Sequence, residues 1–245
     1  MSLARSIALV AAAVALAQSA SAQDGTRFTI HVRNISHGEV LKLSNGGAAP
    51  FVSAPVLWVV HSSTTNPIFS AGQPDAGLGL EQLAETGNPS RLARALEGRP
   101  GVVRVGVDAS PIGAKADGPL TPGQGYEFEI TAHPGQQLSA AWMFGQSNDL
   151  FYSNDRPIAL FTESGKPVDG VMTAQLSLWD AGTEVNEEPG LGPNQGPRQA
   201  TPDAGTVEHE GIAHVHDRFS YPRTAEVLEL TITPAADAMD AMSAR

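Results

Sequence analysis

Two carboxylates bracket a glycine in Asp180-Ala-Gly-Thr-Glu184, directly after the apolar, strand-like run from Met172 to Trp179. Acid groups on a loop that leaves a strand suit a hard cation: calcium accepts about six to eight oxygen ligands in loose geometry, and a glycine lets the backbone turn tightly enough to aim them. The same residue types also build ordinary solvated turns, so the chemistry depends on what else reaches the loop. A second acidic element, Ser147-Asn-Asp149, closes the apolar run Leu138 to Phe144. If the two loops meet at one end of a sandwich, Asp149, Asp180 and Glu184 converge there. The side-chain oxygens of Ser147 and Asn148 then lie nearby, and water and backbone carbonyls complete a calcium site.

Histidines offer a competing site. His209, His214 and His216 fall close together, interleaved with Glu208, Glu210 and Asp217, and imidazole favours zinc, copper or nickel over calcium. His214 and His216 are two apart, which places them on one face if the segment is a strand. This alternative reads the chain as a periplasmic transition-metal binder or a metal-dependent enzyme. His61 follows a buried run and reads as a hydrogen-bonded structural residue. Catalytic signatures are thin: Gly145-Gln-Ser-Asn does not complete a Gly-x-Ser-x-Gly elbow, and neither a phosphate-cradling glycine loop nor His-Glu-x-x-His occurs. The expectation is a binding protein with no catalytic residues, rather than an enzyme.

The elements that must carry these loops read as strands. Phe28 to Arg33 alternates with a period of two, and Pro55 to Val60 is a short, β-branched, nearly continuous apolar run. Further candidates are Val102 to Val107, Tyr126 to Ala132, Leu138 to Phe144, Ile158 to Thr162, Met172 to Trp179 and Glu226 to Thr233. Eight such segments with Gly/Pro-rich connections predict a mainly β chain folded as an antiparallel sandwich or barrel. Between Leu78 and Leu96 the apolar spacing changes to three and four, broken by Gly87-Asn-Pro89, which predicts two short helices covering an end or edge of the sheet. The Pro/Gly-rich excursion over residues 185–205 is too long for a plain connection, and such loops tend to be functional or mobile.

The N-terminus carries one charge, Arg5, before an Ala/Val/Leu-rich run and Ala20-Ser-Ala22, the pattern of a cleaved export signal over 1–22. The apolar run is short for a bilayer span, so the mature protein is expected without a transmembrane anchor, periplasmic or secreted. One domain then covers 23–234, with a flexible tail over 235–245. No cysteine occurs among the 245 residues, so no disulfide supports the exported chain. The formal charge is −11, or −12 without Arg5, and no basic block is present. Nucleic acid and anionic membrane are therefore excluded as expected partners.

The ordered set Ala54-Pro-Val-Leu-Trp-Val-Val-His61, Phe69-Ser-Ala-Gly72, Leu83-Ala-Glu-Thr-Gly87, Leu138 through Asp149 and Asp180-Ala-Gly-Thr-Glu184 resembles the spondin N-terminal domain family. That domain occurs in the matrix proteins F-spondin and mindin and alone in bacterial exported proteins. The resemblance runs from about Phe28 to Thr233. It implies a sandwich similar to the C2 architecture with a divalent cation, calcium, at one end. Asp149, Asp180 and Glu184 fall on the family's metal-binding acids, the last being Asp in animal members. A further family acid, in the strand before Ser147, aligns with Glu129, or with Glu127 as its rival. The animal domains carry cysteines that this chain lacks and sit within larger matrix proteins, so their adhesion and immune roles are not carried over and the portable expectation is cation binding. The chain itself is expected to be a binding or adhesion-type module with an extracellular or envelope partner.

Overall fold

Phe28, Ile30 and Val32 are fully buried while Thr29 and His31 between them are half-buried and the flanking Arg27 and Arg33 face solvent, the half-buried alternation expected of an opening strand. The computed structural model describes residues 25–236. The expected leader 1–22 and all but the first two residues of the expected tail lie outside the described residues. Among the described residues thirteen strands form: β1 (Thr26–Asn34), β2 (Leu41–Lys42), β3 (Ala48–Ala49), β4 (Val56–His61), β5 (Val102–Asp108), β6 (Gly125–Ala132) and β7 (Gln137–Met143). Then come β8 (Leu150–Asn154), β9 (Ile158–Ala159), β10 (Gly170–Val171), β11 (Leu176–Asp180), β12 (Ala213–His214) and β13 (Leu228–Pro234).

One sheet runs β10-β13-β1-β6, the other β12-β11-β8-β7-β4-β5 with β9 attached to β7, and β2 pairs with β3 alone. The named pairings are antiparallel. The two large sheets pack as a sandwich whose core joins Phe28, Ile30, Tyr126 and Phe128 of the smaller to Val56, Trp58, Trp142 and Tyr152 of the larger. Trp58 stacks flat on Phe128, centroids 5.4 Å apart and planes within 4°. Its indole also lies across Gly106 of the neighbouring strand, where a Cβ would come within 2.1 Å of the ring. Glycine at 106 is what leaves room for that close approach.

Every residue of β4 is buried because the larger sheet is covered on both faces. Its outer face carries Leu57, Val59, Ala141, Phe151 and Trp179 into a second core with Leu80, Leu83, Leu92 and Leu96. These four leucines come from helices α1 (Leu80–Thr86) and α2 (Ser90–Leu96). The second helix sits by the edge strand β5, as expected of an edge cover, while the first reaches inward over β7 and β8. Among the described residues, no helix is long and apolar enough to cross a membrane.

Three strand expectations shift. Ile158 to Thr162 is a strand only to Ala159, because Thr162 turns back to bond Lys166 and Gly165. The stretch from Met172 opens with a 3-10 turn, Thr173–Gln175, whose Thr173 hydroxyl accepts from Leu230 N, before β11 begins. Glu226 belongs to a short helix, α3 (Thr224–Val227), fastened at its start by paired Arg223 and Glu226. A further strand, β8, lies outside the segments expected as strands, and its Ser153 and Asn154 are buried. Ser153 Oγ donates to Ala140 O at 2.7 Å, and Asn154 Oδ1 accepts from Ala140 N at 2.9 Å. Their polar groups bridge to the neighbouring strand instead of leaving the sheet.

Candidate metal centre

Asp149 immediately precedes β8 and Asp180 ends β11, and these strands are antiparallel neighbours in which Asp180 pairs with Leu150. The register therefore brings both acids to one end of the larger sheet. On the Asp149 side, the turn from β7 is tied by Ser147, whose hydroxyl donates to Phe144 O at 2.6 Å and accepts from Leu150 N at 3.1 Å. On the Asp180 side, Gly182 has φ 69°, the left-handed region that favours glycine. A Cβ there would meet Glu210 O at 2.7 Å. That close approach is built in: Gly182 O accepts from Glu210 N, and Thr183 O accepts from Glu208 N, each at 2.9 Å. The pairing of residues 182–184 with 207–210 is what delivers Glu208 to the site.

Asp149, Asp180 and Glu208 each offer one carboxylate oxygen such that the three lie within 4.8 Å of one another. Two oxygens bound to one calcium at roughly 2.3–2.6 Å can stand up to about 5 Å apart, so the spacing suits a shared cation. The carboxylates are held firmly. Asp149 Oδ2 accepts from Thr183 N at 2.8 Å, Thr183 Oγ1 at 2.9 Å and Glu184 N at 3.0 Å. Asp180 Oδ1 accepts from Gly182 N at 2.8 Å and Oδ2 from Asn186 Nδ2 at 2.5 Å. Asp149 Oδ1, in contrast, is buried without a hydrogen-bond partner.

Charge is poorly balanced here. The ion pairs of the described residues join His31 to Glu127, Arg33 to Glu229, His214 to Asp155 and Arg223 to Glu226, and none reaches the three converging acids. Burial, with the neighbouring Asp180 charge adding to it, pushes the Asp149 carboxyl up to about 7. Burial also raises Asp180, whose near neighbours Asp217 and Glu210 add to the effect, and it raises Glu208 beside Asp180. Several acids held together with no basic partner destabilise their own ionised forms, and a bound cation removes that penalty.

The remaining expected ligands fall elsewhere. Glu184 is 2 % exposed, but its carboxylate is not among the three that converge. Its Oε1 accepts from Gly205 N at 2.7 Å and its Oε2 from Asn148 Nδ2 at 3.3 Å, so the side chain fastens the loop over 185–205. Asn148 Oδ1 is engaged by Glu187 N at 3.1 Å. Glu129 and Glu127 stand on the exposed face of β6, in the smaller sheet, opposite Thr29 and His31 of β1, and the structure does not bring them to the group. Glu208 takes the third place, although in the sequence it stood out only as a neighbour of the histidines.

His214 lies edge-on to Trp179 with centroids 4.0 Å apart, and its Nε2 is 3.6 Å from Asp155. His216 Nδ1 is 3.0 Å from His214 O. Among the described residues, no convergent set of three possible ligands includes His209, His214 or His216. His61 is buried, its Nε2 3.0 Å from Ser139 Oγ, in keeping with a structural role. The chain matches no protein-family model and no curated protein.

Proposed function

We propose that the protein is an exported, non-enzymatic binding module in which calcium, held by Asp149, Asp180 and Glu208, organises the loops at one end of a spondin-like β-sandwich. The observation that carries this reading is the buried Oδ1 of Asp149, which has no hydrogen-bond partner among the described residues, within an acidic group that no ion pair of those residues reaches. The leader pattern over 1–22 and the cysteine-free composition support export. The ordered motifs shared with spondin domains support the choice of calcium and of a binding role towards an extracellular or envelope partner. Glu184 serves in this reading as a positioning residue: its backbone N–H holds Asp149 and its carboxylate holds the covering loop.

The test uses terbium, a luminescent stand-in for calcium that is sensitised by a nearby indole, since Trp179 is bonded directly to Asp180. Metal-stripped protein excited at its tryptophans should sensitise terbium emission, and added calcium should compete it away. Asp180→Asn should weaken the calcium-competable signal. An undiminished signal in Asp180→Asn and in Asp149→Asn would remove the proposal.

A further inference from the structure

Beside this group lies another set of acids that the motifs do not single out. Glu81 and Glu85 stand one turn apart on α1, and Asp203 approaches from the long excursion that follows Glu184. Each offers an oxygen such that the three lie within 4.8 Å of one another. Like charges four residues apart on a helix repel, and neither glutamate has an ion-pair partner among the described residues. Arg91, on the next helix, donates to Gly77 O at 2.8 Å, and its charge offsets part of the crowding at Glu81 without forming an ion pair with it.

Convergent acids alone make no site, but Glu85 adds a separate observation. It is only 1 % exposed, and among the described residues no donor reaches its buried Oε2, the side chain it faces being another acid, Asp203. Its other oxygen accepts from Thr183 Oγ1 at 3.3 Å. A buried carboxylate oxygen left unpaired costs free energy that a coordinated cation would remove. The surroundings are fixed in place: Gln199 Nε2 donates to Glu85 O at 3.0 Å, and Gly205, two residues beyond Asp203, is held by Glu184. Thr183 touches both groups, since the same hydroxyl lies 2.9 Å from Asp149 Oδ2.

We propose that Glu81, Glu85 and Asp203 form a second site for a hard divalent cation, separate from that at Asp149 and joined to it through the Thr183 hydroxyl. Three carboxylates with water completing the shell match the oxygen preference of calcium, and the partly open Glu81 and exposed Asp203 give the ion a way in. The proposal does not depend on the Asp149 site being occupied.

Counting ions settles it. Equilibrium dialysis of the metal-stripped full chain against calcium, to about 5 mM because extracellular modules bind at roughly 0.1–1 mM, should give two ions per chain. Glu85→Gln should leave one, as should Asp203→Asn, an exposed change whose amide tolerates the left-handed backbone at 203 (φ 56°). Asp180→Asn should leave the other. If the wild type binds one ion, lost in Asp180→Asn and kept in both Glu85→Gln and Asp203→Asn, the second site does not exist while the first stands. If the single ion is instead lost only in the latter two variants, the second site stands and the first fails. Absence of bound calcium throughout overturns both.

Discussion

The glutamates on β6 and the aspartates at the start of β8 and the end of β11 share a carboxyl group but not circumstance. Glu127 and Glu129 lie on an open sheet face in water, and Glu127 has His31 within 3.2 Å. Asp149 and Asp180 are buried, fixed by backbone N–H groups and crowded by other acids, with no ion-pair partner among the described residues. An exposed carboxylate needs nothing more than solvent. A buried, immobilised and uncompensated group has a free-energy debt that only a proton or a cation settles, and this distinction marks a site better than acid content does.

The largest expected contrast comes from truncation. Asp149→Ala leaves three N–H and O–H donors around a buried position without their acceptor and should destabilise the fold by about 2–5 kcal/mol in denaturant titration. Glu129→Ala should stay within about 0.5 kcal/mol, as surface changes do. Equal effects would erase the comparison.

Acid titration offers the next test. In metal-free protein, burial pushes Asp149 up to about 7 and Glu85 up to about 8. Both lie above the ordinary carboxyl value near ~4, so the folded chain keeps protons that the unfolded chain has released. The stability these two groups contribute is therefore full below about pH 4 and is lost as pH rises through 7 to 8. Melting scans with chelator should show this decline, and saturating calcium should flatten it by taking the place of the protons. A chelated protein whose stability rises over that interval would contradict the burial assigned to these acids.

Smaller effects follow from the loop. Glu184→Gln keeps the backbone contact to Asp149 but weakens the grip on Gly205, so about 0.5–1.5 kcal/mol of stability should be lost, with faster proteolysis over 185–205 as the local readout. Glu127→Gln removes an exposed pairing with His31 and should change stability by under about 1 kcal/mol, leaving calcium affinity untouched.

What the sequence disclosed follows the same physics. Asp149 and Asp180 were legible because turn-forming residues beside apolar runs locate strand ends, and antiparallel pairing then aligns those ends. Glu184 was expected as a carboxylate ligand, but its side-chain direction depends on the loop folding back to Gly205, which no local pattern encodes. Glu208 and Asp203 reach their groups by contacts with distant segments, so neither stood out as a ligand. β8 escaped because buried Ser153 and Asn154 look like loop chemistry until their partners on β7 are known. The helices were visible from spacing, whereas the reach of α1 across the outer sheet face depended on the uninterrupted burial of β4.

The central claim is that the folded chain alone assembles a calcium site at Asp149 and Asp180, so calcium must raise the melting temperature by mass action. Melting of metal-stripped protein across a calcium titration, with Asp180→Asn alongside, tests this most directly. At about a hundredfold excess over Kd the gain is roughly 2.7 kcal/mol per site, visible as several degrees in the wild type and reduced in the variant. A melting temperature that stays constant as calcium rises would contradict the account.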